Sequence, residues 1–461
     1  MRPLEMLIPL ALGAYLLWPH PRLFAIRLLP AIALILTLIH FAAEGYRWQM
    51  IPIYILTALL GLSALVKIQS PTDWKPIASL LTLVLLLLSM ALPILLPVPN
   101  IPTPSGPYTV GTRLYELTDE ARREIYSGKD EARRFMIQVW YPSEANPSTE
   151  KAPWMANAEI VAPAIAMSID MPSFFLDHLA LVKVPAFKES EVAVTDQGFP
   201  VILFSHGWQG FNAQNTSQAL ELASHGYTVV GVQHTYGAAI TVFPDGTVAH
   251  NNPSGLASDD TPTEEYEIIA HKLVHQWAED LGFTLNFMDE QNRDPDSALH
   301  KRLDLSRVGA YGHSTGGGAA IQFCGTDPRC TAVLGLDPFL RPVSYEVIDQ
   351  GVTQPAFFMF SQRWADDLDS RNNELFNRFY PRVQNPVGVV SIAATSHYDF
   401  SDLPLLSPLA PQLGLKGPIA GKRVTTIVND YLVAFFDSTL KGEPSTLFDN
   451  PKVYAEIRSL K

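Results

Sequence analysis

The chain has 461 residues, a formal net charge of −13 at pH 7 and two cysteines. This length exceeds the roughly 250–300 residues at which a single hydrophobic core stops growing, so more than one structural unit is expected. An acidic balance without clustered Lys and Arg excludes a nucleic-acid partner, because phosphate binding needs such clusters. Two cysteines are too few for a disulfide scaffold or a four-ligand zinc site. For Cys324 and Cys330 the sequence leaves two states open, buried thiols or a local disulfide.

The first hundred residues contain blocks of apolar residues separated by short polar joints. The blocks are residues 4–18, 23–43, 50–66 and 76–98. A helix that spans a bilayer needs about 17–25 mostly apolar residues, and in lipid such blocks are stable only as helices. The sequence therefore predicts a transmembrane region at residues 1–98 with three or four helices, and hence a multi-pass integral membrane protein.

The basic residues around these blocks predict which side of the membrane the rest of the chain faces. Four of them fall on one side of the predicted helices: Arg22, Arg27, Lys67 and Lys75. Arg2 and Arg47 fall on the other side. Because basic loops favour the cytoplasm, the rest of the chain is expected to be extracytoplasmic. Residues 99–107 are rich in proline and are expected to form a stiff linker.

From residue 108 to residue 461, apolar runs alternate with helical patterns. The runs typical of buried strands are Phe135–Tyr141, Phe199–Ser205, Thr228–Gln233, Val308–Gly312, Ala332–Leu336 and Ala356–Phe360. The helical patterns are Ala213–Ser224, Thr263–Asp289, the segment after Ser314, and Lys422–Thr439. This alternation predicts a mainly parallel sheet with helices on both faces. Residues 142–194 and 236–261 are longer than usual connections and are candidates for the wall of a pocket.

The clearest catalytic motif is Gly312-His313-Ser314-Thr315-Gly316, which lies between an apolar strand and the start of a helix. The pattern G-x-S-x-G in this context is typical of the α/β-hydrolase fold, where a sharp strand-to-helix turn exposes a nucleophilic serine. Glycine is expected at both ends because a side chain there would collide with the backbone. The sequence therefore predicts an α/β-hydrolase catalytic domain at residues 108–461, with Ser314 as its nucleophile.

A second motif, Ser205-His206-Gly207-Trp208, follows the strand at Phe199–Ser205. Hydrolases of this fold place a loop there that donates one N–H to the oxyanion of the tetrahedral intermediate. The residue after the nucleophile donates the other N–H. We therefore expect an oxyanion hole formed by the backbone N–H groups of Trp208 and Thr315, with His206 orienting the loop.

A serine hydroxyl needs a base to accept its proton and a carboxylate to orient that base. In this fold the chain order is serine, acid, histidine, and His397 is the single histidine after Ser314. Asp337 is the preferred acid because it directly follows a buried strand, which would hold it rigidly. Asp366 and Asp367 follow the next strand and remain the alternative.

These residues predict the hydrolysis of a carboxylic ester through an acyl-enzyme on Ser314, without a cofactor. A peptidase or thioesterase uses the same three groups, and a non-catalytic membrane-anchored binding module is an alternative of another class. His271 and His275 have the i, i+4 spacing of a metal pair. The glutamate of H-E-x-x-H and a third ligand are lacking, so no metal is expected.

Five segments together resemble the platelet-activating-factor acetylhydrolase family and its bacterial esterase relatives. They are Phe204-Ser205-His206-Gly207, Leu222-Ala223-Ser224-His225-Gly226-Tyr227, Gly312-His313-Ser314-Thr315-Gly316-Gly317, Leu336-Asp337 and Ser396-His397-Tyr398-Asp399-Phe400. The resemblance covers most of residues 135–436, and it implies Asp337 as the acid and phospholipid or short acyl esters as substrates. The chain departs from the relatives at His234-Thr235-Tyr236-Gly237, where they carry a more charged segment, and its N-terminal region lies outside the resemblance.

Overall fold

The computed structural model describes residues 2–19, 22–66, 75–144, 150–258, 260–448 and 453–461. Lys67 and the side chain of Lys75, which entered the count of basic residues, lie outside this description. The first helices are α1 (Pro3–Leu17), α2 (Phe24–Arg27), α3 (Leu29–Ala43), α4 (Ile51–Val66) and α5 (Lys75–Leu95). We call the described residues from 2 to 95 the N-terminal helical unit.

The N-terminal helical unit differs from the predicted set of membrane spans. Helices α1 and α3 have 15 residues each and α4 has 16. Such helices are roughly 22–24 Å long, against a hydrocarbon core of about 30 Å. Over the described part of the chain, no helix is both long enough and apolar enough to cross a membrane. The prediction of a multi-pass integral membrane protein with an extracytoplasmic catalytic domain is therefore wrong.

The apolar residues of this unit instead divide between a small core and an exposed surface. The core consists of Ile8, Leu12, Ala33, Met50, Ile53, Leu56 and Leu86. The opposite helix faces expose other large side chains, including Leu10, Ile35 and Leu59. Arg47, which was counted as a flanking charge, is buried and pairs with the buried Glu5 at 2.6 Å. Periodicity and composition alone did not distinguish this arrangement from four spans.

The N-terminal helical unit contacts the α/β domain at a 3-10 helix, Ser173–Leu181, and at Ser407, whose hydroxyl donates to the Leu95 carbonyl. The indole N–H of Trp48 donates to the Phe175 carbonyl at 3.2 Å, and Gln49 Nε2 donates to His178 Nδ1 at 2.8 Å. This 3-10 helix lies within residues 142–194, which the sequence marked as a candidate pocket wall. The unit therefore holds part of that candidate wall in place through these contacts.

The α/β domain is built on an 11-stranded sheet. The strands in chain order are β1 (Thr109–Arg123), β2 (Ala132–Ser143), β3 (Lys151–Pro153), β4 (Lys183–Lys188), β5 (Phe199–Ser205), β6 (Thr228–Gln233), β7 (Ile240–Val242), β8 (Val248–His250), β9 (Leu303–His313), β10 (Ala332–Leu336), β11 (Pro355–Ser361), β12 (Asn385–Ile392) and β13 (Ile457–Ser459). Their order across the sheet is β13-β12-β11-β10-β9-β5-β6-β2-β1-β4-β3, and β7 and β8 form a separate hairpin.

Helices connect these strands and cover both faces of the sheet. The α-helices are α6 (Ala158–Ser168), α7 (Thr216–Ser224), α8 (Thr263–Arg293), α9 (Thr315–Thr326), α10 (Tyr345–Gln350), α11 (Gln362–Asp366), α12 (Arg371–Phe379) and α13 (Gly421–Phe436). Further 3-10 helices lie at Trp48–Met50, Pro253–Gly255, Tyr380–Arg382, His397–Phe400 and Leu403–Leu405, and a π-helical turn lies at Asp437–Lys441. Two large apolar clusters, one on each face, form the core of the domain.

The centre of the sheet is parallel, as the sequence predicts. Strands β6, β5, β9, β10, β11 and β12 pair in parallel, whereas β2 is antiparallel to both β1 and β6. Every residue of β5, β6 and β10 is buried, which explains their continuous apolar sequences. The predicted bounds of these three strands, β5, β6 and β10, are the bounds that the structure has. Strand β1 was not predicted, because one of its faces is exposed and much of it is charged.

The parallel topology brings the carboxyl ends of β5, β9, β10 and β11 to one edge of the sheet. Residues that immediately follow these strands therefore meet there, as is usual for α/β sheets. Helix α9 is joined to the start of β10 by a disulfide between Cys324 and Cys330, whose Cα atoms are 5.1 Å apart. Of the two states that the sequence left open, the structure contains the local disulfide.

Candidate active site

Ser314 occupies a strained turn between β9 and α9. Its φ is 57° and its ψ is −124°, a conformation that residues other than glycine rarely adopt. A Cβ on Gly312 would lie 2.2 Å from the Gly316 carbonyl oxygen, and a Cβ on Gly316 would lie 2.1 Å from the Ser205 carbonyl oxygen. The two glycines therefore let the turn close against itself and against β5, which is the role predicted for them.

The structure brings together the histidine and the preferred acid that were predicted from the sequence. His397 Nδ1 lies 3.1 Å from Asp337 Oδ2, although the two residues are 60 positions apart. Asp337 is fully buried, and Ser361 donates to it twice, from its N–H at 2.7 Å and from its hydroxyl at 2.6 Å. Ser314 is held beside this strand end, because its N–H donates to the Leu336 carbonyl at 3.0 Å.

The surroundings of His397 favour a neutral imidazole with a defined tautomer. Burial lowers the pKa of His397 well below its usual value. Burial also raises the pKa of Asp337 to about 7, and the two donors from Ser361 oppose that rise. A hydrogen on Nδ1 that points to Asp337 leaves Nε2 able to accept a proton. The side chain of His397 is 19% exposed, so that a bound molecule can approach it.

Aromatic rings fix the orientation of His397. Trp364 stacks on its imidazole, with ring centroids 4.3 Å apart and planes 7° apart. His313 lies on another side, with centroids 4.5 Å apart, and its Nε2 is 2.9 Å from the His397 carbonyl oxygen. The sequence contains no signal that would identify Trp364 or Ser361, because both reach the site from β11 and α11 only in the folded chain.

The loop after β5 forms a tight turn against Ser314. The Gly210 N–H donates to the Gly207 carbonyl at 2.9 Å, and Gln209 has a φ of 58°, as in a type II turn. A Cβ on Gly207 would lie 3.3 Å from the Ser314 Cβ, so this loop is in contact with the serine. Across the described ranges, neither Trp208 nor Thr315 donates its backbone N–H to a protein acceptor. Both predicted oxyanion donors are thus free to bind a ligand atom.

The other candidate residues lie elsewhere. Asp366 and Asp367 are exposed at the end of α11, and Asp366 accepts a hydrogen bond from Gln362 at 3.2 Å. His275 lies 3.4 Å from Glu279, and the ring of His271 packs edge-on against Tyr345. The part of the chain that the structure describes contains no group of three or more His, Cys, Asp or Glu that could hold a metal ion.

An apolar cavity of about 140 Å³ lies beside the loop that follows β5. Trp208, whose N–H is a predicted oxyanion donor, and Tyr398, which follows the predicted base His397, both line it. Its walls are mostly leucine, isoleucine and phenylalanine side chains, which come from residues 165–179 and 403–415 and from Leu96 and Phe211. The 3-10 helix that contacts the N-terminal helical unit overlaps the first of these ranges. The cavity therefore offers a mostly apolar surface next to one predicted oxyanion donor.

Comparison with known proteins identifies related sequences over most of the chain. A model of the family "platelet-activating factor acetylhydrolase, isoform II" matches residues 96–446. The platelet-activating factor acetylhydrolase of Cavia porcellus is 28% identical over 360 residues, which cover 74% of this chain and 78% of that protein. The enzyme of the same name from Gallus gallus is 25% identical, and the aligned region covers 74% of this chain and 84% of that protein.

A fungal protein and a solved structure extend the comparison. The Arthroderma benhamiae protein named "probable 1-alkyl-2-acetylglycerophosphocholine esterase" is 24% identical, with 77% of this chain and 92% of that protein aligned. The structure of a ferulic acid esterase from Streptomyces cinnamoneus superposes with a TM-score of 0.65 and 25% identity. It covers 79% of this chain and 100% of the esterase.

Proposed function

Because the chain belongs to the platelet-activating factor acetylhydrolase isoform II family, we propose that it cleaves lipid esters with Ser314, His397 and Asp337. It is a carboxylic ester hydrolase of the α/β-hydrolase fold. The observation that best supports these three roles is the 3.1 Å contact of His397 with the buried Asp337, beside the strained Ser314. We place the catalytic domain at residues 108–461, after a linker at 99–107.

In the proposed reaction, His397 Nε2 accepts the hydroxyl proton of Ser314 while the serine oxygen attacks the ester carbonyl. The resulting oxyanion accepts hydrogen bonds from the N–H groups of Trp208 and Thr315. His397 then gives its proton to the leaving alcohol, and an acyl-enzyme remains. Water, deprotonated by His397, attacks that acyl group and releases the acid, which restores the serine.

The oxyanion donors are expected to supply a large part of the rate. Removing one such donor costs about 3 kcal/mol of transition-state stabilisation in serine hydrolases. Here neither N–H is used by the protein, and each is attached to a backbone that other contacts hold in place. The site therefore does not need to reorganise as charge develops on the substrate oxygen.

The cavity beside Trp208 supports a substrate with an apolar chain. A dry cavity of about 150 Å³ is known to hold benzene, so one of about 140 Å³ holds a chain segment of roughly six carbons. Each buried methylene contributes about 0.8 kcal/mol to binding. We propose that one hydrocarbon portion of the ester enters this cavity and that the polar remainder stays at the opening.

The test is the rate of ester hydrolysis by the variant Ser314→Ala, with Ser254→Ala as a matched control on the surface. Ser254 is exposed, and its hydroxyl donates to the nearby Asn252 at 2.9 Å. With p-nitrophenyl acetate and a 1-alkyl-2-acetylglycerophosphocholine, Ser314→Ala is expected to lose several orders of magnitude in kcat while its circular dichroism is unchanged. The proposal is contradicted if Ser314→Ala keeps the wild-type turnover, or if Ser254→Ala loses turnover while Ser314→Ala does not.

A further inference from the structure

A second series of serine, histidine and aspartate lies beneath the candidate active site. Ser205 Oγ is 2.9 Å from His234 Nε2, and His234 Nδ1 is 3.0 Å from Asp280 Oδ2. All three residues are completely buried. Ser205 is the last residue of β5 and pairs with Gly312 and Val232 on the neighbouring strands. Since no substrate reaches this hydroxyl, the series is not a second catalytic centre.

Asp280 and Trp277 hold the His234 ring in one orientation. Burial by itself would raise the pKa of Asp280, but the cationic Arg133 and the hydrogen bond from His234 outweigh it and keep that pKa far below its usual range. An ionised carboxylate only accepts, so His234 Nδ1 carries a hydrogen. Burial lowers the pKa of His234, which leaves Nε2 to accept the Ser205 hydroxyl hydrogen. Trp277 stacks on the ring, with centroids 4.2 Å apart.

The backbone of His234 connects this series to the loop after β5. Its N–H donates to His206 Nε2 at 3.2 Å. Burial lowers the pKa of His206 to about 3, so its ring is neutral. A neutral imidazole that accepts at Nε2 carries its hydrogen on Nδ1. His206 Nδ1–H therefore donates to the Gly207 carbonyl, 2.7 Å away.

The Gly207 carbonyl and the Trp208 N–H belong to the same planar peptide unit and point in opposite directions across it. A donor on the carbonyl therefore also sets the direction of the N–H. Two donors hold this carbonyl, His206 Nδ1–H at 2.7 Å and the Gly210 N–H at 2.9 Å. Gly207 itself lies against Ser314.

We propose that His234, held by Asp280 and Ser205, is a positioning residue for ester hydrolysis: it fixes His206, which in turn aims the Trp208 N–H at the substrate oxyanion. This inference rests on the proposed function, because it takes the Trp208 N–H as an oxyanion donor. The buried series keeps that donor oriented before substrate arrives. Such preorganisation is the source of the stabilisation that an oxyanion hole supplies.

The experiment measures kcat and KM in the full chain with p-nitrophenyl acetate, per site titrated with a fluorophosphonate. His234→Phe keeps a ring against Trp277 and removes both side-chain hydrogen bonds, and His206→Phe removes the donor to Gly207. Each is expected to lower kcat roughly 10- to 100-fold, a part of the 10²–10³-fold loss for a whole donor, with KM changed less than about twofold. Because both act through one path, the double variant is expected to be no slower than the slower single variant.

Two further variants keep the test sharp. Leu285→Ala is the control for loss of stability, because Leu285 is buried on α8, the helix that carries Asp280. It is expected to lower the melting temperature without changing kcat per titrated site. Ser205→Ala removes a single hydroxyl, so it tests the inference if His234→Phe does not fold, and it is expected to lower kcat at least about threefold. Three results overturn the inference. The first is a wild-type kcat per site in the folded Ser205→Ala and His234→Phe variants, and the second is a rise in KM without a fall in kcat. The third is a double variant in which the losses in kcat of the two single variants add.

The result is separable from the proposed function. If Ser314→Ala retains ester hydrolysis, the proposed function fails and the positioning role fails with it. If Ser314→Ala is inactive while His234→Phe has wild-type kcat per site, only the positioning role fails.

Discussion

The acid of the proposed triad is tested most directly by replacing Asp337 with asparagine. Its carboxylate accepts from three donors: the Ser361 N–H, the Ser361 hydroxyl and His397 Nδ1. Asparagine has the same shape but only one oxygen. If that oxygen faces the Ser361 N–H, the amide NH₂ faces His397. The imidazole must then accept at Nδ1 and carry its hydrogen on Nε2, where it no longer accepts the serine proton.

The other orientation of the asparagine is less stable. Its NH₂ would face the Ser361 N–H, and two buried donors without an acceptor cost about 1–3 kcal/mol. The first orientation is therefore expected, since the Ser361 hydroxyl can turn to donate elsewhere or to accept. A folded enzyme with the wrong tautomer of His397 results. The expected loss in kcat is about 10⁴-fold, or roughly 5 kcal/mol.

The assay for Asp337→Asn compares kcat/KM for p-nitrophenyl acetate among three asparagine variants. Asp366→Asn and Asp367→Asn are the matched controls, because both residues are exposed and lie on the alternative loop. They are expected to stay within about twofold of the wild type, as is usual for surface positions. Circular dichroism checks that each variant is folded. A greater loss in either control than in Asp337→Asn would refute the assignment of the acid.

Two further predictions concern the cavity and the buried charges. Leu406→Trp narrows the apolar cavity, so kcat/KM for p-nitrophenyl hexanoate is expected to fall about tenfold relative to the acetate, and equal losses for both esters would contradict the cavity's role. Asp280→Asn leaves Arg133 buried without its full partner and is expected to destabilise the fold by about 3–5 kcal/mol at pH 7 in urea denaturation. The folded-state pKa of Asp280 is lowered, so its carboxylate stabilises the fold at any pH above its unfolded pKa of about 4. This stabilisation is lost progressively as the pH falls from about 4 toward the lowered pKa of the folded state. A difference from the wild type that does not narrow below pH 4 would contradict this account.

Much of the site was predictable because it is encoded locally. The serine turn needs glycines at two fixed offsets and a strand before it, and all of these lie within a few residues of Ser314. His397 was identified by elimination, since the fold requires a histidine after the serine and the chain has one there. Asp337 was preferred because it directly follows a buried strand. The structure places His397 and Asp337 in contact, and their catalytic roles remain predictions.

The N-terminal region shows where composition was misleading. Apolar residues recur in helical blocks there, and a membrane span and a packed helix share that property. The structure distributes these residues between a small core and an exposed surface, on helices that are mostly shorter than a span. The ion pair of Glu5 with Arg47 depends on the packing of α1 against the segment before α4, which no local pattern reveals.

The sequence by itself determined the central parallel strands and the serine turn, since each depends on residues close together along the chain. It also predicted His397 as the base and the loop after β5 as the carrier of one oxyanion donor. Only the tertiary structure decided which side chains hydrogen-bond to the residues of that site and hold them in place. Ser361 reaches Asp337 across 24 residues, and Asp280 reaches His234 across 46. Contacts at such separations form when strands and helices pack, so their partners have no spacing that a sequence pattern can show.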